Sequence, residues 1–279
     1  MGKYYYLVAG LANLDGDDTM PQLTLNNFRK EVFPQLSTAD RRLLELPLLE
    51  CDCRRLASLL SEGRIPDGMP AGMLSSAQLE EAVGLAKAGE NRPDSIPQFM
   101  WDFICGYVEA ERKFPALDGL LYAFYDYAAG SGNRFVSDWY RFNQDLSNVQ
   151  TAITARKFGL DVRKLIVGDG ETASQLRESG ARDWGLSGRL DFFDALQRIQ
   201  DEQDLAKREH LTDTLRWKWL EENSFFSYFT VECLFSYMER LAIAWRWNSL
   251  DHDAGEKLLR GLIGELKGQV SVPDGFKNN

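Results

Sequence analysis

The chain is predicted to fold as an all-α protein, built as multi-helix bundle lobes with little or no sheet. Three observations predict this. In RFVSDWYRFNQDLSNVQTAITARKF (134–158), the large apolar residues Phe135, Trp139, Phe142, Leu146, Val149 and Ile153 step by four, three, four, three and four. That spacing marks one face of a helix of about six turns. Gly130-Ser131-Gly132 and Gly159 bound the stretch, so its ends are marked as well as its face. A second stretch of this kind, Phe225–Trp247, fills the C-terminal third. Nowhere does apolar–polar alternation persist long enough to build a sheet, which leaves helix-on-helix packing as the architecture.

The 279 residues suffice for a large core, either as one helical domain over 1–279 or as two packed lobes, 1–130 and 131–279. With 44% hydrophobic residues, the chain has enough apolar surface to offset chain entropy. The net charge of −10 argues against electrostatic nucleic-acid binding, because phosphate recognition requires the opposite sign. Cys51, Cys53, Cys105 and Cys233 fit a reduced cytosolic protein better than a disulfide framework, and they lack the spacing of a zinc site. The opening MGKYYYLVAGLANLDGDD does not read as a signal peptide, and no run of about eighteen apolar residues occurs.

In chain order, residues 4–11 open as a helix or a short strand. Asp15-Gly-Asp-Asp18 reads as an acidic turn without the further ligands of a calcium loop. Thr24–Phe33 is a short helix stopped by Pro34. Ser37 or Thr38 caps a longer one that runs to Leu60, bent or interrupted at Pro47. Residues 63–75, rich in Gly and Pro, form a loop. Ser75 or Ser76 caps the next helix, which ends at Gly89. A helix begins at Ser95, with Phe99, Phe103, Ile104, Tyr107 and Val108 on one face, and another follows Pro115. Residues 161–167 are a strand or a helical turn. Short helices at 171–179 and 190–199 flank a linker that carries Trp184. In 201–222, Leu205, Leu211 (or His210), Leu215, Trp219 and Leu220 form a narrow stripe. Residues 252–266 supply a closing helix and 272–279 a loose tail.

No reaction centre is written into these residues. On a helical wheel of 225–247, Leu234, Tyr237, Met238, Leu241 and Trp245 share one side, while Glu232, Glu239 and Arg246 fall opposite with Ile243 and Trp247 near them. Apolar groups on both sides place such a helix centrally in the bundle or under a partner. Glu232 and Glu239 lie about 10 Å apart along a helix and read as surface acids rather than a catalytic pair. His210 and His252 lack a Glu three residues earlier, as a di-iron bundle would require. GDGETASQ (168–175) lacks the phosphate-loop pattern. Asp145, Asn148 and Arg156 lie off the apolar stripe of 134–158, and either hydrogen-bond a neighbouring element or form a solvated face. No catalytic, metal or cofactor-binding residue is assigned.

DWYRFNQDLSNVQTAITARKFGLD (138–161), with Asp145, Leu146, Asn148, Val149, Arg156 and Gly159, resembles a helix of the V-type ATPase central-stalk subunit called C in prokaryotes and d in eukaryotes. Residues 230–263, with Glu232, Leu234 and Tyr237, resemble that family's Glu-x-aliphatic-x-x-Tyr helix. KYYYLVAGLANL and REHLTDTLRWKWLEE are similar, over nearly the whole chain, to an uncharacterised bacterial (Bacteroidetes-type) family linked to V-type ATPase genes.

The resemblance implies a non-catalytic subunit that couples the central shaft to the membrane rotor ring, and so couples ion transport to ATP hydrolysis or synthesis. Its partners would be other V-type ATPase subunits. It would sit at the cytoplasmic face of the membrane without entering lipid, and would need no cofactor. Asp145, Asn148, Arg156, Glu232, Tyr237, Glu239, Arg246 and Trp247 are the candidate interface or structural positions. Three similar lobes about a funnel would favour this reading over a single closed bundle. The rival readings are a transient assembly or regulatory protein of the same complex, and an enzyme on a helical scaffold with Asp15, Asp17 and Asp18 or Glu232 at its site.

Overall fold

In a computed structural model, residues 3–14, 21–110 and 116–249 are described, and all their regular structure is helical. Helix α1 (Tyr5–Ala9) is a single short turn, which decides the opening segment for helix. Thr24 caps α2 (Leu25–Val32) by accepting from Asn27 N, and Pro34 falls in the 3₁₀ turn Phe33–Gln35. Ser37 caps α3 (Thr38–Glu62), which runs uninterrupted through Pro47. An interior proline costs a helix about 3 kcal/mol. Buried Leu43, Leu44 and Leu46 before Pro47, and Leu48 and Leu49 after it, hold the helix on both sides.

Ser75 and Gln78 form a reciprocal capping box on α4 (Ser76–Ala88), and Gly89 ends it in the left-handed region. Helix α5 (Gln98–Glu109) starts after Pro97 rather than at Ser95, because proline suits a helix entry. It buries Met100 and Ile104, and the aromatic residues beside them are partly covered. Helix α6 (Leu117–Ala129) buries Leu120, Phe124, Tyr125 and Ala128. Pro115 lies outside the described residues.

Asn133 caps α7 (Arg134–Lys157), the helix expected from periodicity. Trp139, Phe142, Leu146 and Val149 are buried as its spacing requires, and Val136, Tyr140, Ala152 and Ala155 are buried as a second row. With two rows covered, α7 is a central helix packed by neighbours on several sides. After it come α8 (Val162–Leu165), a helical turn rather than a strand, α9 (Glu171–Glu178) and α10 (Phe193–Gln200). The linker between the last two is not loose, since its Trp184 is buried.

Two expectations for the C-terminal third need correction. Helix α11 (Leu205–Ser224) does not bury Leu205, which is 69% exposed; its covered face is Thr212, Asp213, Trp217 and Leu220. The rest of the stripe packs as expected, Leu220 buried and Leu215 and Trp219 partly buried against the core, with Thr212 and Asp213 sharing that inner side. Nor does the next helix begin at Phe225. Residues 225–230 form a turn, and α12 spans Val231–Ser249. Leu234, Tyr237, Met238 and Leu241 on one side and Ile243 and Trp247 on the other are all buried, so α12 is central. The segments 252–266 and 272–279 lie outside the described residues.

Buried apolar side chains from Tyr4 to Trp247 join in one contiguous cluster. Helices on either side of position 130 share it: α6 packs on α7, and α3 on α12. No described helix is long and apolar enough to cross a membrane.

Candidate functional site

Among the described residues, the turn between α11 and α12 carries three strongly exposed aromatic side chains, Phe225, Phe226 and Tyr228. Its sequence, Phe225-Phe226-Ser227-Tyr228-Phe229, follows Ser224, whose hydroxyl donates back to Leu220 O at 2.6 Å and competes with helix continuation. Thr230 Oγ1 donates to Ser227 O at 3.2 Å and tightens the turn. Phe229 holds φ at +59°, a left-handed backbone that costs a bulky residue roughly 1–3 kcal/mol. Its carbonyl accepts from Tyr4 N at 2.9 Å, and its ring lies 4.6 Å from that of Tyr5. The N-terminal turn and the α11–α12 turn are thereby locked together.

The result is a chain of rings in contact from Tyr6 through Tyr5, Phe229, Tyr228 and Phe225 to Phe226. Tyr6 is 83% exposed and Phe226 84%, and Phe225 and Tyr228 are both over half exposed. Beside this ridge lies a concavity of about 610 Å³ floored by Phe225, Phe226 and Tyr228 and edged by Glu221, Glu222 and Arg240. Exposed apolar surface this continuous, on a fixed backbone, makes the ridge the candidate site.

A second feature is interior. Asp213 on α11 is fully buried and accepts from Arg216 Nη1 at 2.8 Å, from Arg246 Nε at 2.7 Å and from Arg246 Nη2. Arg216 Nε donates to Asn143 Oδ1 at 3.0 Å. Across a cavity of about 90 Å³, Glu50 pairs with Arg54 at 2.7 Å, and Glu239 accepts from Trp139 Nε1 at 3.2 Å. Burial, with the Glu50 carboxylate second, pushes the Glu239 carboxyl up to about 8, against the opposing pull of Trp139, Arg246 and Arg216.

This corrects the reading of Glu232 and Glu239 as surface acids. Glu239 is a half-buried acid of raised pKa. Glu232 is half-buried and accepts from Asn133 Nδ2 at 2.7 Å. Burial pushes its carboxyl up, but hydrogen bonds from Thr230 and Asn133 outweigh this and leave it below the usual range.

The other expected positions scatter. Asp145 bonds Thr172, and burial raises its pKa; it lines a polar concavity of about 660 Å³ with Asp126, Arg141, Glu171 and Arg189. Asn148 is buried against Val167. Arg156 stacks its guanidinium over the Trp184 ring at 3.5 Å and donates to Ala181 O at 3.1 Å. Tyr237 stacks on Phe28 at 5.7 Å, and Trp247 lies between Trp217 and His210. Of the expected set, the fold brings Glu239 and Arg246 to one cavity, and Asp145 and Asn148 to the α8–α9 side of α7. For Asp145, Asn148 and Arg156, hydrogen bonding to a neighbouring element is what occurs.

The ridge residues Tyr5, Tyr6, Phe225, Phe226 and Tyr228 were not singled out in the sequence, nor were Glu50, Arg54, Asp213 and Arg216. Five residues with four rings and no charge, directly after Asn223-Ser224, are the signal for a turn there. Asp15, Asp17, Asp18 and His252 lie outside the described residues. Among the described residues, no group of three His, Cys, Asp or Glu is placed to hold a metal ion.

A family model described as "Protein of unknown function (DUF2764)" matches residues 1–270. No curated protein and no solved structure matches the chain.

Proposed function

The chain belongs to the DUF2764 family, and from that premise we propose that it is a non-catalytic adapter which docks another protein on its aromatic ridge, and that the assembly it serves is a bacterial V-type ATPase. The observation that carries the adapter reading is the run of exposed rings from Tyr6 to Phe226, held on a locked backbone. Stiff aromatic side chains lose little entropy on binding and are enriched at interface centres. The dense two-sided packing of α7 and α12 suits a part that transmits force through shape.

The V-type ATPase assignment rests on the sequence likeness of 138–161 and 230–263. In that role the chain works at the cytoplasmic face through protein partners and passes torque between shaft and rotor ring. One contiguous core is a plainer body than three lobes about a funnel, and this lends weight to the variant reading of an assembly or regulatory factor on the same machine.

The test is affinity purification of the tagged full chain from detergent-solubilised membranes, beside a Phe226→Ala/Tyr228→Ala variant. V-type ATPase subunits should be recovered with the wild type and lost with the variant. Recovery of no ATPase subunit overturns the assignment. Recovery that ignores the variant overturns the ridge as the contact. Fixed stoichiometry in the complex separates a subunit from an assembly factor.

An enzyme remains the second reading, favoured by the polar concavity beside Asp145. In it Glu171 already pairs with Arg189, and Asp145 is bonded to Thr172. Turnover of a small-molecule panel that fails on Asp145→Asn would establish it.

A further inference from the structure

We infer that the ridge receives a short basic, amphipathic segment of a partner protein, with apolar anchors in the concavity beside Phe226 and Lys or Arg side chains over the rings. This rests on the adapter reading and specifies the chemistry of its partner. Three observations select this occupant.

The first is area. Taking about 200 Å² per aromatic side chain, the five exposed residues leave roughly 650 Å² open. An exposed aromatic stripe of this size suits an amphipathic segment laid along the rings with its apolar face down.

The second is charge. The chain carries −10 overall. A second copy or an anionic lipid surface would meet that field with like sign, whereas a basic segment is drawn in by it. The rim itself is balanced, Glu221 with Arg240 at 3.2 Å and Glu222 with Lys218 at 3.6 Å. The Lys218–Glu222 pair lies largely in solvent and is weak enough to exchange partners, while Arg240 is largely covered.

The third is the ring array. Six rings in contact present π faces along one line, and Tyr6 and Phe226 are the most exposed of them. Such faces attract guanidinium and ammonium groups. The protein already uses this interaction internally, with Arg156 over Trp184. The locked turn at Phe229 presents the array preformed, so little ordering opposes binding.

The experiment uses the full chain and two labelled synthetic helical peptides with the same leucine pattern, one with a Lys/Arg polar face and one with a Glu face. Phosphatidylcholine–phosphatidylserine vesicles and sedimentation of the chain alone complete the set. The wild type should bind the basic peptide on the order of tenfold or more tighter than the acidic one, with affinity falling as salt rises. Phe226→Ala/Tyr228→Ala and Tyr6→Ala, each with an unchanged helical circular-dichroism spectrum, should lose on the order of tenfold.

Equal binding of both peptides, no binding of either, or basic-peptide binding untouched by the variants overturns the inference. Ridge-dependent capture of the acidic peptide or of vesicles, or ridge-dependent dimerisation, overturns the basic partner and leaves a docking ridge standing. If every probe ignores the variants while they still lose ATPase subunits in the purification, the basic partner fails and the adapter holds. If the purification ignores them too, both fail.

Discussion

The side-chain amide of Asn148 holds the backbone of Val167 by both its polar groups. Nδ2 donates to Val167 O at 2.9 Å, and Oδ1 accepts from Val167 N at 3.1 Å. One side chain on α7 thus does what a neighbouring strand would do, and fixes the short segment between α8 and α9 against the central helix. An Asn in mid-helix is a poor helix former, and this contact is its physical reason.

Asn148→Ala should destabilise the fold by about 1–3 kcal/mol, because two backbone groups lose their partner at a site where Asn148 itself is 2% exposed. Asn148→Asp should cost at least as much, since it removes the donor and adds a charge. Urea unfolding should show a lowered midpoint with an unchanged slope.

Asp213 anchors two arginines from a fully buried position. Removing one side of a buried pair costs roughly 3–5 kcal/mol; Arg246 is half-exposed here and keeps some hydration, so Asp213→Asn should cost about 2–4 kcal/mol in chemical unfolding. Arg246→Ala should cost less than Asp213→Asn, because Arg216 still neutralises the acid.

Glu239 predicts a pH dependence with a definite sign. Between the ordinary carboxyl value of 4.5 and about 8, the folded chain holds a proton that the unfolded chain has released. Stability should therefore fall as pH rises through that window and level off above it. The groups facing Glu239 are Glu50 and Arg54 from α3, Tyr125 from α6, Trp139 and Asn143 from α7, Arg216 from α11 and Arg246 on its own helix. Glu239→Gln keeps an acceptor for Trp139 and should flatten the profile, gaining most over wild type near pH 9 and little near pH 5. Thermal melts of the two proteins across pH 5–9 check this.

Gly72 has no room for a side chain. A Cβ built there would lie 2.1 Å from Asp52 Oδ1. Asp52 is fully buried and accepts from Met73 N at 2.7 Å, Leu74 N at 3.0 Å and Arg55 Nη1 at 2.9 Å, so its carboxylate cannot move freely. Gly72→Ala should destabilise by about 1–3 kcal/mol. Gly68→Ala, which meets no atom within 4 Å, carries only the strain of its positive φ and should cost less.

The helical class, the path of α7 and most helix starts were legible along the chain, because caps and apolar spacing are local. Ser37, Ser75 and Gly89 act within a few residues of themselves, and Trp139, Phe142, Leu146 and Val149 meet the core at the angle their spacing sets. The full burial of Asp213 and the partial burial of Glu239 were not legible. Their surroundings are set by residues such as Glu50, Trp139 and Arg246, up to 189 positions away between Glu50 and Glu239, and no helical wheel carries information across helices. The ridge was hidden for the opposite reason. A run of rings that looks like core at 225–229 is left outside because α11 ends at Ser224 and Phe229 is pinned to Tyr4 at the other end of the chain. Sequence by itself determined which segments are helices, because a helix is made of contacts three and four residues apart. Which acids are buried and which aromatic rings face solvent was decided by the tertiary structure, because those are properties of helices brought together from distant parts of the chain.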